Sequence, residues 1–300
     1  MESVKTIWCQ WSDLNLPSDF NLISRDVDKL TRDELNAIDI YVPQYMGGIK
    51  ALEPISQMSN ASVLQLLMAG FDDALRFKRP GLHLFNARGV HDFSTAELTL
   101  ALILASLRGL DGFIRAQDQQ KWSHERLDSI YGKKVAIVGA GSVATKIAGF
   151  LSPFGIKPQL YGRTSRNLIK SFTQLDDHIH EYDIVILIVP LTDETRGMFD
   201  ARRISRMKPN SLLVNVARGP VVDTDALVAA LNSGQIKAAL DVTDPEPLPA
   251  AHPLWRSKNL IISPHVGGNS AAFEPHGRRL IEEQCQRIAN GEPLINEIAW

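Results

Sequence analysis

The sequence predicts an α/β fold in two domains, one of them a doubly wound parallel sheet. Three observations lead there. The chain has 300 residues, long for one compact domain and comfortable for two. Its second half alternates short apolar runs with stretches of helical periodicity, the pattern of parallel strands joined by crossover helices. At one of those strand-to-helix junctions stands a glycine-rich turn, residues 139–144.

Composition narrows the class. With 44% hydrophobic and 22% charged residues the chain is globular, which excludes disorder and collagen-like or coiled-coil arrays. Thirty-two basic against 34 acidic residues leave a net charge of −2, which argues against nucleic acid or an anionic membrane as partner. The most apolar run, residues 98–107, is too short to span a bilayer. Cys9 and Cys285 sit at opposite ends, with no C-x-x-C or Cys/His cluster, so neither a disulfide framework nor a metal site is expected. Met1-Glu2-Ser3 opens without a basic region and apolar run, so no leader is expected. A soluble cytoplasmic protein is the expectation.

In chain order, residues 38–42, 63–68 and 82–85 read as buried strands bounded by Pro, Gly or charge, with residues 31–37 a crossover helix. These make a small α/β domain. Apolar residues at helical spacing over 95–116 read as a helix with Ser94 or Thr95 as N-cap, and 117–131 as a polar connector. The strands of the second domain are expected at 134–138, 158–161, 184–189, 211–216, 238–242 and 260–262. Helices are expected at 142–151 and 224–232. The amphipathic stretch 273–289 is expected to return to the first domain.

Gly139-Ala140-Gly141-Ser142-Val143-Ala144 directly follows a strand and opens a helix. The first glycine permits the tight turn, the second lets backbone approach a pyrophosphate, and the small Ala144 lets helix pack on strand. The helix N-terminus then offers unpaired N–H groups to phosphate. Gly162 falls where an acidic residue holds the adenosine ribose of NAD. The chain instead continues Arg163-Thr164-Ser165-Arg166, with two guanidinium groups suited to a 2′-phosphate. NADP(H) is therefore expected to be preferred, with NAD(H) possible.

Further motifs follow in order: Val189-Pro190-Leu191-Thr192, Thr195-Arg196, Asn215-Val216-Ala217-Arg218-Gly219-Pro220, Ala239-Leu240-Asp241-Val242, Pro245-Glu246-Pro247-Leu248 and Ser263-Pro264-His265-Val266. This series resembles the D-isomer-specific 2-hydroxyacid dehydrogenases across residues 131–270. Ala69-Gly70-Phe71-Asp72 and Thr95-Ala96-Glu97 extend the resemblance over most of the chain. It implies a Rossmann cofactor domain, residues 97–275, inserted into a smaller flavodoxin-like α/β substrate domain, residues 1–96 and 276–300. It also implies a homodimer, built through the region after Thr95.

The family's catalytic trio corresponds to Arg218, Glu246 and His265. Reducing a 2-keto acid needs a proton for the carbonyl oxygen, and histidine is the natural donor. A carboxylate at Glu246 stabilises the imidazolium, and Arg218 holds the substrate carboxylate and polarises its carbonyl. The resemblance adds cofactor contacts from Val189, Pro190, Thr195, Ala217, Asp241 and Gly267, with Asp241 toward the nicotinamide amide. It assigns the backbone N–H groups of Ala69 and Gly70 to the substrate carboxylate. The expected activity is reduction of a small 2-keto acid, glyoxylate, hydroxypyruvate or similar, to the D-2-hydroxy acid. Two other classes stay open: a dinucleotide-sensing corepressor, and a dehydrogenase of another small oxyanion. His178-x-His180, among acidic neighbours, reads as a solvated face.

Overall fold

The computed structural model describes residues 4–299, so the Met1-Glu2-Ser3 start lies outside it. The chain forms two compact units, Met1–His91 with Ala271–Trp300, and Asp92–Ser270. Their limits fall just before the helices Asp92–Arg108 and Phe273–Ala289, whereas the limits expected from sequence fall inside those helices.

The first unit is a parallel sheet with an antiparallel edge. Its strands β1 (Lys5–Trp8), β2 (Phe20–Ile23), β3 (Ile40–Tyr41), β4 (Val63–Gln65) and β5 (His83–Phe85) are parallel, in the order β2-β1-β3-β4-β5. That is the flavodoxin-like order. Alternation along the strands sends Trp8, Tyr41, Leu64 and Leu84 to one core. Ile7, Ile40 and Val42 go to the opposite face, against Phe273, Leu280 and Ile281 of the helix Phe273–Ala289. The helix Arg32–Asn36 begins on a capping box: Thr31 Oγ1 accepts from the Glu34 N–H, and Glu34 accepts from the Thr31 N–H at 2.8 Å.

The second unit holds seven parallel strands: β6 (Val135–Val138), β7 (Gln159–Gly162), β8 (Ile169–Ser171), β9 (Ile184–Leu187), β10 (Leu212–Asn215), β11 (Lys237–Leu240) and β12 (Leu260–Ile262). Their order is β12-β11-β10-β9-β6-β7-β8. Every residue of β6, β9 and β10 is buried, which explains their unbroken Val/Ile/Leu character. The chain winds outward from β6 to β8, then restarts at β9 and winds the other way. Between β6 and β9 the crossovers diverge, and ligands bind outside the carboxyl ends of strands at such a point. A last strand, β13 (Glu297–Ile298), closes the first unit antiparallel to β5.

Several expectations from sequence are corrected. Gly109, at φ 59°, splits the expected helix into Asp92–Arg108 and Leu110–Asp118; a glycine in left-handed conformation ends helices at no steric cost. Ser94 and Thr95 are not N-caps but lie buried inside the first of these helices, which starts at Asp92. Strands stop short of their apolar runs: the 184–189 run pairs only to Leu187. His178 meets Glu181 at 2.9 Å on the surface.

One ion cluster ties the wall beside β8 together. The Asp176 carboxylate accepts from Arg203 Nε at 2.7 Å and also meets Arg202, with its side chain 16% exposed. Burial pushes its pKa up, but the Arg203 hydrogen bond and the surrounding arginine charges outweigh this and hold it below the usual range. A depressed folded pKa means stability that is present above the unfolded value and lost as pH falls through the folded one. Asp176→Asn leaves Arg203 without its charge partner and is expected to cost about 1–3 kcal/mol at neutral pH. Thermal melts at pH 7 and under acid check it: the gap between wild type and variant should close under acid.

Candidate active site

Two groups of side chains gather along the carboxyl edge of the seven-stranded sheet. The first surrounds the glycine turn after β6. Gly139 has φ 136°, and a Cβ there would overlap the Ile188 carbonyl, so only glycine fits. A Cβ on Gly141 would meet nothing within 4 Å; it would project into open space in front of the helix Ser142–Leu151. Ala144 is buried between that helix and the sheet. The turn borders a cleft of about 370 Å³ lined by Gly139, Ala140, Gly141, Gly162, Arg163, Thr164, Arg166, Val189, Pro190 and Thr195, all expected from sequence. Bare backbone at the mouth of a helix N-terminus, beside two guanidinium groups, fits a dinucleotide pyrophosphate and phosphate.

Phe172, Ile188, Thr192 and Glu194 also line this cleft, without having been expected. Thr195 shapes its wall: the buried hydroxyl donates to Pro190 O at 2.7 Å and accepts from Thr192 N at 2.8 Å. Ser142 and Val143 form the first turn of the helix behind the loop.

The second group comes from the ends of the neighbouring strands β10, β11 and β12. Asn215, the buried last residue of β10, holds the turn that follows. Its amide donates to Arg218 O at 3.0 Å and its carbonyl oxygen accepts from Ala217 N at 3.1 Å. Arg218 Nη1 in turn donates to Ala217 O at 2.7 Å. A Cβ on Gly219 would overlap the Thr243 carbonyl, so this glycine lets the Arg218 turn lie directly on the segment leading to Glu246. A polar residue closing an apolar strand, as Asn215 does, is the sequence signal for this role.

His265 is held in an unusual way. Its backbone is left-handed, φ 53°, which costs a non-glycine residue on the order of 1–3 kcal/mol. The surroundings over-determine it. Asp241, buried after β11, accepts from His265 N through its carbonyl at 2.7 Å. One carboxylate oxygen takes Val266 N at 2.9 Å and Ser263 Oγ at 2.7 Å, the other Gly267 N at 2.8 Å. Both oxygens thus serve the histidine loop, a task the expected nicotinamide contact did not include. A Cβ on Gly267 would come to 2.8 Å from the Asp241 carboxylate, so glycine is needed there for close approach.

The trio meets. His265 Nδ1 lies 2.5 Å from Glu246 Oε1, with each side chain nearly two-fifths exposed. That contact leaves Nε2 as the ring nitrogen available to a substrate. Partial burial raises the Glu246 pKa, but the hydrogen bond and charge of His265, the Thr243 backbone and the Arg218 charge together hold it below the usual carboxylate range. The carboxylate therefore stays ionised beside the imidazole. Ala69 and Gly70 belong to the other unit, in the loop after β4, where Ala69 O accepts from Asn86 Nδ2 at 2.7 Å.

A doubly wound sheet with a glycine phosphate turn and an Arg/Glu/His cluster on adjacent strand ends defines a dinucleotide-dependent oxidoreductase. The chain belongs to the D-isomer specific 2-hydroxyacid dehydrogenase family, whose NAD binding domain matches residues 100–267. It is 36% identical over 263 residues to the glyoxylate reductase of Thermofilum pendens, covering 82% of this chain and 78% of that one. Among solved structures it resembles a D-isomer specific 2-hydroxyacid dehydrogenase family protein from Aeromonas salmonicida, with a TM-score of 0.87, 26% identity and 99% of each chain covered. Another is the D-isomer specific 2-hydroxyacid dehydrogenase of Xanthobacter autotrophicus Py2 in complex with NADPH and MES, at a TM-score of 0.80 and 26% identity, covering 99% of this chain and 98% of that one. The protein is an NAD(P)H-dependent reductase of 2-keto acids.

Proposed function

We propose that the chain reduces a small 2-keto acid, glyoxylate or hydroxypyruvate, to the D-2-hydroxy acid, with NADPH preferred and NADH accepted. The observation that carries the chemistry is His265 Nδ1 fixed on the ionised Glu246. The bound nicotinamide supplies the hydride to the carbonyl carbon. His265 Nε2 holds the proton that goes to the carbonyl oxygen, and Glu246 stabilises the imidazolium before it leaves. Arg218 binds the substrate carboxylate and draws electron density toward the carbonyl oxygen. Ala69 and Gly70 are further candidates for binding a carboxylate; among the described residues neither N–H makes a hydrogen bond within the protein. The glyoxylate reductase relatives support the small substrate.

Initial rates of NADPH and NADH oxidation with glyoxylate, hydroxypyruvate, pyruvate and 2-ketoisovalerate test the proposal. NADPH with one of the first two acids should be fastest. Comparable turnover with the branched acid would remove the small-substrate part.

The cofactor preference rests on Gly162 and the arginines after it. A Cβ at Gly162 would press on Ile169 Cγ2 at 3.1 Å and Ala140 Cβ at 3.4 Å, so the strand end is crowded against any larger residue. Arg163→Ala is expected to weaken NADPH by about 10- to 100-fold, the value of a charge-assisted hydrogen bond or two, and to spare NADH. Dissociation constants for both dinucleotides decide it; equal losses would sink the preference.

A homodimer is part of the same reading. The helix Leu110–Asp118 has no buried residue, and Leu110, Ile114 and, beyond it, Trp122 are exposed, as an apolar face awaiting a partner copy would be. Cytoplasmic placement accords with Cys9 and Cys285 as free, buried thiols. No helix among the described residues is long and apolar enough to cross a membrane.

A further inference from the structure

Glu194 faces the phosphate-binding arginines from across the cleft. It sits in the turn that Thr195 pins by its hydroxyl, on the chain leaving β9, while Arg163 leaves β7. Arg163 Nε and Glu194 Oε2 lie 3.1 Å apart, with side chains 71% and 64% exposed. The pair is therefore a weak, solvated one that opens readily. Arg166 lines the same cleft and its guanidinium forms no ion pair among the described residues. The strand end itself carries Gly162, with no carboxylate for a ribose hydroxyl.

A carboxylate is nevertheless present beside that position, supplied by a different strand. We propose that Glu194 is a second determinant of cofactor choice, in which the Arg163–Glu194 pair works two ways. With NAD(H), Glu194 accepts a hydrogen bond from the adenosine ribose hydroxyl, the task a residue at 162 cannot perform. With NADP(H), the 2′-phosphate takes Arg163 and Arg166 and must first displace Glu194 from Arg163. Glu194 thus supports NADH and penalises NADPH, leaving one cleft able to hold both. This rests on the reading of the Arg163 loop as the 2′-phosphate site.

The test is direct binding by calorimetry of NADPH and NADH, and of adenosine 2′,5′-bisphosphate and 5′-AMP as fragments that carry only the adenosine end. Variants are Glu194→Ala, Arg163→Ala and the double variant; both side chains are exposed, so the fold is retained. Glu194→Ala should tighten NADPH and the bisphosphate by about 3- to 5-fold, the size of an exposed ion pair. It should weaken NADH and AMP by about 10-fold, the size of a hydrogen bond to a charged group. In the Arg163→Ala background the NADPH gain should vanish. Shifts of the same sign for both dinucleotides, no shift, or an undiminished gain without Arg163 would each overturn the role of Glu194. If instead Arg163→Ala weakens both dinucleotides alike, the underlying phosphate reading fails, whatever Glu194 does.

Discussion

Replacing His265 by alanine lowers turnover by about 10²–10⁴-fold, the usual contribution of a positioned general acid, while NADPH binding is unchanged. The expectation follows from where the imidazole is held and by what. Its Nδ1 is engaged by Glu246 at 2.5 Å, so the ring has one orientation and one free nitrogen. The loop around it is fastened through backbone N–H groups of residues 265, 266 and 267 to Asp241, all of which alanine keeps. Loss of rate therefore reports loss of the proton donor rather than collapse of the loop. Single-turnover reduction followed beside a dinucleotide titration separates the two; an unchanged rate would mean that the proton comes from elsewhere.

Arg218→Lys should reduce kcat/KM by about 10²–10³-fold, as removal of one preorganised donor at a developing oxyanion does. Charge is kept, but the planar fork is not. Arg218 already gives Nη1 to Ala217 O at 2.7 Å, which fixes the guanidinium plane. A lysine ammonium has no such plane and cannot hold carboxylate and carbonyl together. Arg218→Gln adds a second, independent signature. Wild-type activity is lost as pH falls through the Glu246 pKa, which His265, the Thr243 backbone and Arg218 hold low against the effect of burial. Without the Arg218 charge that pKa rises, so the acid limb of the pH–rate profile should move to higher pH. A profile that stays in place would separate Arg218 from the carboxylate.

Sequence periodicity identified the helices Ser142–Leu151 and Thr224–Asn232 and the strand Leu260–Ile262 to the residue, and the amphipathic stretch that forms the helix Phe273–Ala289. Each is bounded by a cap, a turn or a glycine that the chain itself displays. Other elements were invisible for physical reasons. β8, Ile169–Ser171, is a half-buried edge strand too short to show alternation, and the helix Ala201–Ser205 hides its one buried residue, Ile204, among arginines. β13 is a two-residue strand whose existence depends on β5, distant in sequence. The site divides in the same way. Gly139, Gly162 and the proposed trio stand out in the sequence because backbone approach and proton transfer demand particular residue types at strand ends. Glu194 facing Arg163, and Gly219 lying on Thr243, arise where separate loops converge, and spacing along the chain does not encode that.

The strand order has a consequence for how such a protein can change. On the proposed reading, cofactor selection is lodged at the ends of β6 and β7, on one side of the point where the winding reverses, together with the loop after β9. The proposed proton handling is lodged at β10, β11 and β12, on the other side, with its own internal fastening through Asn215 and Asp241. Substitutions that trade one dinucleotide for the other need not disturb the acid–base machinery, and the reverse holds. A lineage can therefore retune its electron source without passing through inactive intermediates, and a designer can vary residues 162–166 and 194 as a block while keeping residues 215–219 and 241–267 constant.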